Sequence, residues 1–304
     1  MSQNKIKVAI IGTGNIGSDL CARLLLDSDF EVVALIGRRA DSSGLNSYEG
    51  KVENLISTGI NGLMASGLEF EGIFDATSAF DHREHWESMS QKGKWMIDLT
   101  PSRIGKPFVP ELRGKVSGMD LSKDFVANYS MVTCGGQSSA PLLYAMSQNA
   151  TEISEVEVSS SIASLSAGPA TRRNIDQYIQ STENLIQLIT GCSTVKAILV
   201  LNPAEPPVMM RTTVHMKVND YSLDETKSES HKIVSRVKKY VPGYDIVVEP
   251  HSPNTGQISA TAKVRGAGYV LPDYAGNLDI INAAAVETAR QHSSSFHQMT
   301  TANK

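Results

Sequence analysis

Cys134 lies in the run Met131-Val-Thr-Cys134-Gly135-Gly136-Gln-Ser-Ser-Ala-Pro141, followed by Leu142, Leu143, Ala145 and Met146 at helical spacing. A thiol so placed stands at the entrance of a helix. The N–H groups of a first helical turn point outward and carry partial positive charge, which favours thiolate over thiol. Gly135 and Gly136 would let a substrate come close to the backbone. The competing reading is a packed, inert thiol, because free cysteine is among the most buried residue types. A phosphate-binding pattern earlier in the chain, Gly12-Thr13-Gly14-Asn15-Ile16-Gly17, favours the reactive one. A thiolate beside a nicotinamide is the equipment for oxidising an aldehyde through a thioester.

The glycine pattern sits in a recognisable unit. Lys5 to Ile11 is a short apolar run rich in β-branched residues, which reads as a buried strand. Ile16, Leu20 and Leu24 then fall four apart on one helical face, and Glu31 to Ile36 reads as a second buried strand. In such a unit Gly12 makes the tight turn, Gly14 admits the pyrophosphate to the backbone, and Gly17 lets helix and strand pack closely. The helix N-terminus faces the phosphates. Where an acid usually ends the second strand and holds the ribose, this chain has Gly37-Arg38-Arg39-Ala-Asp41. Arginines there can receive a 2′-phosphate, so NAD and NADP both stay open. Two further strand endings, Gly72 to Ser78 and Trp95 to Pro101, put Asp75, Thr77, Ser78, Asp98 and Thr100 among the residues that could line a cofactor cleft. Each could equally be a turn or helix-cap residue.

After about residue 150 the pattern changes to alternating strands: Ile153 to Val158 with Ser159 to Ile162, Lys196 to Leu201, Val214 to Val218, Tyr244 to Val248 and Gln257 to Val264. Helical segments over Asn174 to Ile189 and Ser228 to Tyr240 intervene, giving a mostly antiparallel sheet with helices on one side. Asn277 to Arg290 is a further helix with Asn277 as a plausible N-cap, and the polar tail from His292 to Lys304 is expected to fray. Ser164 to Asn174 is a polar Gly-Pro loop, either a plain connection or a segment that closes over a cofactor or an anion. His82 and His85 share a helix face without an evident third ligand, and read as solvated.

Bulk properties narrow the class. With 304 residues, 41% hydrophobic and 20% charged, the chain is an ordinary globular protein long enough for two domains. A net charge of −4 gives no footing for nucleic acid, and no apolar run is long enough to span a membrane. Cys21, Cys134 and Cys192 are an odd, sparse set without metal-ligand spacing, which points to a reducing, cytoplasmic setting.

These residues resemble the acylating acetaldehyde dehydrogenase family, whose members work beside 4-hydroxy-2-oxovalerate aldolase in aromatic catabolism. The resemblance runs along nearly the whole chain. It is carried by Ala9 to Gly17, Phe74 to Ala79, Ile97 to Pro101, Met131 to Gln137, Ser166 to Pro169 with Thr171-Arg172 and Asn174 to Asp176, Leu201 to Pro207 with Met210-Arg211, Tyr240 to Tyr244, and Tyr274 to Ile280. It implies an α/β fold: a Rossmann dinucleotide-binding domain (residues 1–130 plus 276–304) and an α+β catalytic and dimerisation domain (residues 131–275) of the glyceraldehyde-phosphate or semialdehyde dehydrogenase type. It also implies that Cys134 is the acyl-thioester nucleophile. The cofactor would be held by Gly12 to Gly17, by Ser166, Ala167, Gly168, Pro169, Ala170, Thr171, Arg172, Arg173 and Asn174, and by Asn277. The strand endings read above add Thr77 and, at the ribose, Arg38 and Arg39.

The implied reaction takes a short aldehyde and coenzyme A with NAD or NADP, in a homo-oligomer with an aldolase-like partner. The thiolate would add to the aldehyde, and backbone N–H groups from Cys134 to Gly136 would hold the oxyanion. Three departures from the family pattern keep alternatives open. Thr212 stands where the family has an aspartate after Met210-Arg211; Gly37-Arg38-Arg39 replaces Gly-Ile-Asp; and the stretch from Tyr244 to Tyr269 is shorter. The alternatives are a biosynthetic thioester reductase with NADP preference and a different acyl group, and a cofactor-binding scaffold that has lost catalysis. His215, on the strand after Arg211, is a candidate substitute base.

Overall fold

The computed structural model describes residues 5–302. Two compact units emerge: Met1–Phe108, Leu121–Met131 and Ala285–Lys304 form the first, Val109–Asp120 and Val132–Ala284 the second.

The first unit is built on a parallel sheet. In chain order it contains β1 (Ile6–Ile11), α1 (Asn15–Leu26), β2 (Phe30–Ile36), α2 (Ser43–Asn46), β3 (Asn54–Ile56), α3 (Gly59–Ala65), β4 (Gly72–Asp75), α4 (His82–Gln91), β5 (Trp95–Asp98), β6 (Lys106–Pro107) and β7 (Asn128–Ser130). The sheet order is β3-β2-β1-β4-β5-β7-β6, with every described pairing parallel. This is the doubly wound order, in which strand order reverses between β1 and β4. Both faces of such a sheet are covered, so its strands are continuous apolar runs: Val8, Ala9, Ile10, Leu35, Ile73, Phe74 and Met96 have no exposed surface.

The second unit contains α5 (Cys134–Ser147), β8 (Ala150–Thr151), β9 (Glu155–Ala163), α6 (Pro169–Arg173), α7 (Ile175–Thr190), β10 (Val195–Asn202), β11 (Met210–Lys217), β12 (Asp220–Tyr221), α8 (Leu223–Val237), β13 (Tyr244–His251) and β14 (Gln257–Val264). Its main sheet runs β10-β9-β11-β14-β13; only β10 and β9 are parallel. Strand alternation is clean on β11, where Met210, Thr212, Val214 and Met216 are buried and Arg211, His215 and Lys217 are exposed. The buried face packs with α5, α7 and α8 in one apolar core. On α7 the buried positions Tyr178, Ser181, Thr182, Leu185 and Ile186 follow the helical repeat, and Gly191 ends the helix at φ +69°.

Several expectations are corrected. The helix expected from Ser228 begins at Leu223, because the Ser222 hydroxyl accepts from the Glu225 N–H at 3.4 Å and starts it five residues earlier. The last helix, α9 (Gly276–Ala302), has Asn277 inside its first turn rather than at the cap; the Ala275 carbonyl accepts from Leu278 and Asp279. Its tail does not fray at His292. That ring is buried between Tyr129 and Phe125, with Nδ1 3.1 Å from the Tyr129 hydroxyl and Nε2 2.9 Å from the Phe125 carbonyl. Among the described residues, no helix is long and apolar enough to cross a membrane.

Candidate active site

In the first unit, the expected dinucleotide residues gather at the carboxyl ends of β1, β2 and β4. Gly12 holds φ +112°, and a Cβ there would lie 2.5 Å from the Ala76 carbonyl oxygen. A Cβ on Gly17 would overlap the Gly12 carbonyl, so this glycine lets α1 start tight against β1. Gly14 differs: a Cβ there would meet nothing within 4 Å. The exposed Gly14 and Asn15, with the half-buried Thr13 and Ile16, surround that open space at the start of α1. An uncrowded helix N-terminus behind a tight glycine turn fits a dinucleotide pyrophosphate. The Thr13 hydroxyl is 2.8 Å from that of Ser42, tying the end of β1 to the segment after β2. Arg38 and Arg39 are exposed there. Arg38 reaches Asp81 at 3.3 Å, and Arg39 holds Asp41 through two bonds of 2.8 and 2.9 Å.

Asp75 and Asp98 do not line an open cleft. Asp75 is fully buried; its Oδ2 receives Nδ1 of His82 at 2.8 Å and of His85 at 2.9 Å, while its Oδ1 receives the Thr77 N–H and hydroxyl. The histidines read as solvated are therefore buried. The helix that carries them turns its His face inward onto a carboxylate that lies ten residues before His85. Asp98 takes the Thr100 N–H and hydroxyl and the Ser102 hydroxyl. Burial pushes Asp98 up to about 6 despite these donors and the His82 ring. Burial also acts on Asp75, but the hydrogen bonds and charge of His82 and His85 hold it well below the usual carboxylate range. Burial lowers His82, and Asp75 and Asp98 more than offset it, so its net direction is upward. Asp75 thus fixes Thr77 with one oxygen and anchors both histidine rings of α4 with the other.

In the second unit, Cys134 is the first residue of α5. Thr133 caps the helix: its hydroxyl accepts from the Gly136 N–H at 2.8 Å and lies 2.8 Å from the Thr182 hydroxyl. Val132 holds φ +59°, an outlier for a β-branched residue and worth about 1–3 kcal/mol of strain, immediately before the cap. The expected role of the glycines is corrected. A Cβ on Gly135 would overlap the Tyr178 hydroxyl and lie 2.7 Å from the Ser160 hydroxyl; one on Gly136 would lie 2.9 Å from Leu185. The space is filled by α7 and β9 rather than left for a substrate. The Gly136 N–H is likewise committed to Thr133 and is not open to an oxyanion.

The half-buried Cys134 sulfur is 4.0 Å from the Tyr178 hydroxyl. Burial pushes the thiol up to about 11, against hydrogen bonds from Tyr178 and from the N–H groups of Gly135 and Cys134. Thr212 is fully buried, with its hydroxyl 3.2 Å from that of Ser160. His215 lies three residues further along β11, hence on the exposed face, where it borders a groove with Glu155, Glu157, Lys196 and Lys217. The pleat excludes it as a substitute for Thr212.

The segment from Ser164 is helical rather than a plain loop: a 3₁₀ turn (Ser164–Ser166), then α6. Ser166 donates to the Ala163 carbonyl at 2.8 Å, and Arg172 holds the Ala167 and Ser164 carbonyls at 3.1 and 2.9 Å. Ala167 is buried, Gly168, Thr171 and Asn174 are half-buried, and Arg173 is exposed. The side chains of Pro169 and Ala170 lie outside the described residues. Asn277 is buried and its Oδ1 has no hydrogen-bond partner, an amide oxygen suited to a ligand donor such as a carboxamide. Among the described residues no cluster of His, Cys, Asp or Glu could hold a metal ion.

Tyr178 and Ser160 are absent from the residues singled out in the sequence. Tyr178, four residues after Asn174, falls on the buried face of α7, and Ser160 is directly opposite Thr212 in the β9–β11 register. Only a correct strand pairing reveals the second.

Comparison with known proteins settles the family. Residues 134–272 match the sequence model described as "Prokaryotic acetaldehyde dehydrogenase, dimerisation". An acetaldehyde dehydrogenase of Spirochaeta aurantia is 41% identical over 298 residues, covering 98% of each chain. Acetaldehyde dehydrogenases of Pectobacterium atrosepticum and Geobacillus stearothermophilus are 39% and 40% identical, each covering 95% of this chain and 96% of the relative. With that similarity running through both units, the chain belongs to the acetaldehyde dehydrogenase family of oxidoreductases.

Proposed function

We propose that the protein oxidises acetaldehyde or a similar short aldehyde to an acyl thioester, with NAD or NADP as electron acceptor and coenzyme A as acyl acceptor. The observation that carries this reading is Cys134 at the capped start of α5, in a chain similar along nearly its whole length to proteins named acetaldehyde dehydrogenase. Gly12 to Gly17 and Thr77 hold the dinucleotide, and Ser166 to Asn174 and Asn277 serve its nicotinamide end. When bound, the nicotinamide supplies a hydride acceptor. Cys134 attacks the aldehyde carbon: the S–C bond forms and the carbonyl electron pair moves to oxygen. The Tyr178 hydroxyl and the N–H groups of Gly135 and Cys134 act on that sulfur. The thiohemiacetal on Cys134 would give up its C–H electron pair to the hydride acceptor, which restores the carbonyl as a thioester; the acceptor thiol would then form its own S–C bond at that carbon and release the Cys134 thiolate.

Arg38 and Arg39 favour NADP or dual use, since the first carboxylate after β2 is Asp41 and Arg39 already engages it. The same arginines support a second reading, the reverse reaction in a biosynthetic setting. Association of two copies through the second unit fits the dimerisation model that matches it. An aldolase-like partner and a cytoplasmic location belong to the same proposal.

Following reduced nicotinamide by absorbance with acetaldehyde, NAD or NADP, and with or without CoA, tests the reading. CoA-dependent turnover is expected, and Cys134→Ala should abolish it while keeping dinucleotide binding. Full activity in Cys134→Ala would sink the mechanism. Arg39→Ala should raise KM for NADP about tenfold and leave that for NAD little changed, the loss of one charge-assisted contact.

A further inference from the structure

We infer that Tyr178 is a catalytic hydrogen-bond donor to the Cys134 sulfur, and that Ser160 and Thr212 are positioning residues that aim its hydroxyl. The inference rests on Cys134 being the nucleophile. Its geometry is a chain of hydroxyls across three elements: Thr212 on β11, Ser160 on β9, Tyr178 on α7, and the sulfur at the start of α5. Thr212 and Ser160 are paired residues of adjacent antiparallel strands, both buried, with hydroxyls 3.2 Å apart. Ser160 bonds the Tyr178 hydroxyl, which lies 4.0 Å from the sulfur. Gly135 has no Cβ, and that is what admits this hydroxyl to the first turn of α5.

Counting protons fixes the direction of the chain. A phenol has one proton to donate and can accept two. The Gly135 N–H and the Ser160 hydroxyl both act on the Tyr178 oxygen. While the thiol is protonated its S–H donates to that oxygen; a thiolate has no proton to give, so once it forms the phenol becomes the donor to the sulfur. Ser160, having donated to Tyr178, accepts from Thr212. With the thiolate formed, every hydroxyl of the chain points toward Cys134, and each polarises the next. Threonine suits the end of such a chain because it brings a proton. An aspartate at 212 brings none at neutral pH: it would accept from Ser160, turn Tyr178 toward Ser160 and leave the sulfur without its donor. The chain takes no proton from the thiol; on ionisation that proton goes to solvent, and the hydroxyls stabilise the thiolate left behind. A thiol pushed up by burial needs such donors, because no carboxylate is among the groups that shift it.

The test is the pH dependence of Cys134 alkylation by iodoacetamide in the full-length protein, with Cys134→Ala as background for Cys21 and Cys192. No aldehyde or dinucleotide is needed, so the outcome is separate from the turnover assay above. In the wild type the rate should keep rising through pH 10. Tyr178→Phe should slow alkylation at pH 8 about tenfold, one pKa unit of lost donor. Thr212→Val, of similar volume, should slow it a few-fold, and Thr212→Ser should restore it. Thr212→Asp should slow it as well. A wild-type profile in folded Tyr178→Phe or in Thr212→Val, or faster alkylation in Thr212→Asp, would overturn the inference, the last by showing that the chain removes the thiol proton instead.

Discussion

The starts of α1 and α5 both carry glycines, and their first turns are opposites. At α1 the exposed Gly14 faces open space, while Gly12 and Gly17 are forced by backbone contacts behind it. At α5, Gly135 and Gly136 face groups of the protein itself: the Tyr178 and Ser160 hydroxyls, Thr133 and Leu185. The first start has no side-chain cap; the second is capped by Thr133. Their backing differs too. Behind the strands of the first site lie buried charges, with Asp75 held by His82 and His85, and Asp98 nearby. Beside the second lies a row of neutral hydroxyls. A helix N-terminus left open is a place for a ligand's phosphate; one filled by protein donors spends its field on its own first residue, here the thiol.

The sharpest way to break this comparison is to add a methyl group on each side of it. Gly17→Ala puts a Cβ into the Gly12 carbonyl, and neither partner is a flexible side chain. We expect loss of dinucleotide binding and destabilisation above about 3 kcal/mol, the range of severe overpacking. Wild-type thermal unfolding in that variant would show that the turn can open. Gly135→Ala displaces the Tyr178 hydroxyl, a smaller adjustment because a side chain can give way. A cost of about 1–3 kcal/mol is expected, with dinucleotide binding unchanged and Cys134 alkylation slowed. If alkylation stayed at the wild-type rate, Gly135 would matter for packing alone.

The legible and illegible parts of the molecule divide along the same line. The β1–α1–β2 unit is continuous in sequence, so its strand, glycine turn and apolar spacing could be read in order, as could Cys134 at a helix entrance. What stayed hidden depends on neighbours supplied by topology. Asp81-His82-Arg83-Glu84-His85 looks like a solvated face until β4 brings Asp75 beneath it. Thr212 reads as a missing base until β9 sets Ser160 opposite. The glycines after Cys134 read as room for a substrate until α7 places Tyr178 there. A sequence shows which groups can donate or accept; pairing decides with whom.

The charged backing of the first site and the neutral backing of the second should also separate by pH. Asp98 is raised to about 6 by burial, so the folded state holds its proton more tightly than the unfolded chain does. Its contribution to stability is fully present below the ordinary carboxylate value and is lost as pH rises toward 6. Asp75, shifted down, loses its contribution only at lower pH, and His82, shifted up, only at higher pH. Between about pH 4 and 6 Asp98 thus dominates this cluster. Asp98→Asn should flatten the fall in melting temperature over that window, whereas Thr212→Val should leave its slope unchanged. Equal slopes in the wild type and Asp98→Asn would remove Asp98 from the account.

Capping offers a smaller test. Thr133→Ala leaves the Gly136 N–H without its acceptor and should cost about 1 kcal/mol; Thr133→Ser should recover most of it. Fuller loss in the serine variant would assign the effect to the threonine methyl group instead.

The smallest change in stability belongs to Gly14→Ala, and it is the one that bears most directly on the open site. Gly14 holds φ −77°, which alanine adopts freely, and the new methyl group meets no protein atom. Alanine is a poorer N-cap than glycine, so a loss of at most about 1 kcal/mol is expected. A pyrophosphate drawn against this turn would meet that methyl group, and dinucleotide affinity should fall at least tenfold, about 1.4 kcal/mol of binding. Weak binding in a stable protein would place the phosphates at α1. Unchanged binding would mean that they approach the sheet elsewhere, and the openness of Gly14 would then say nothing about a ligand.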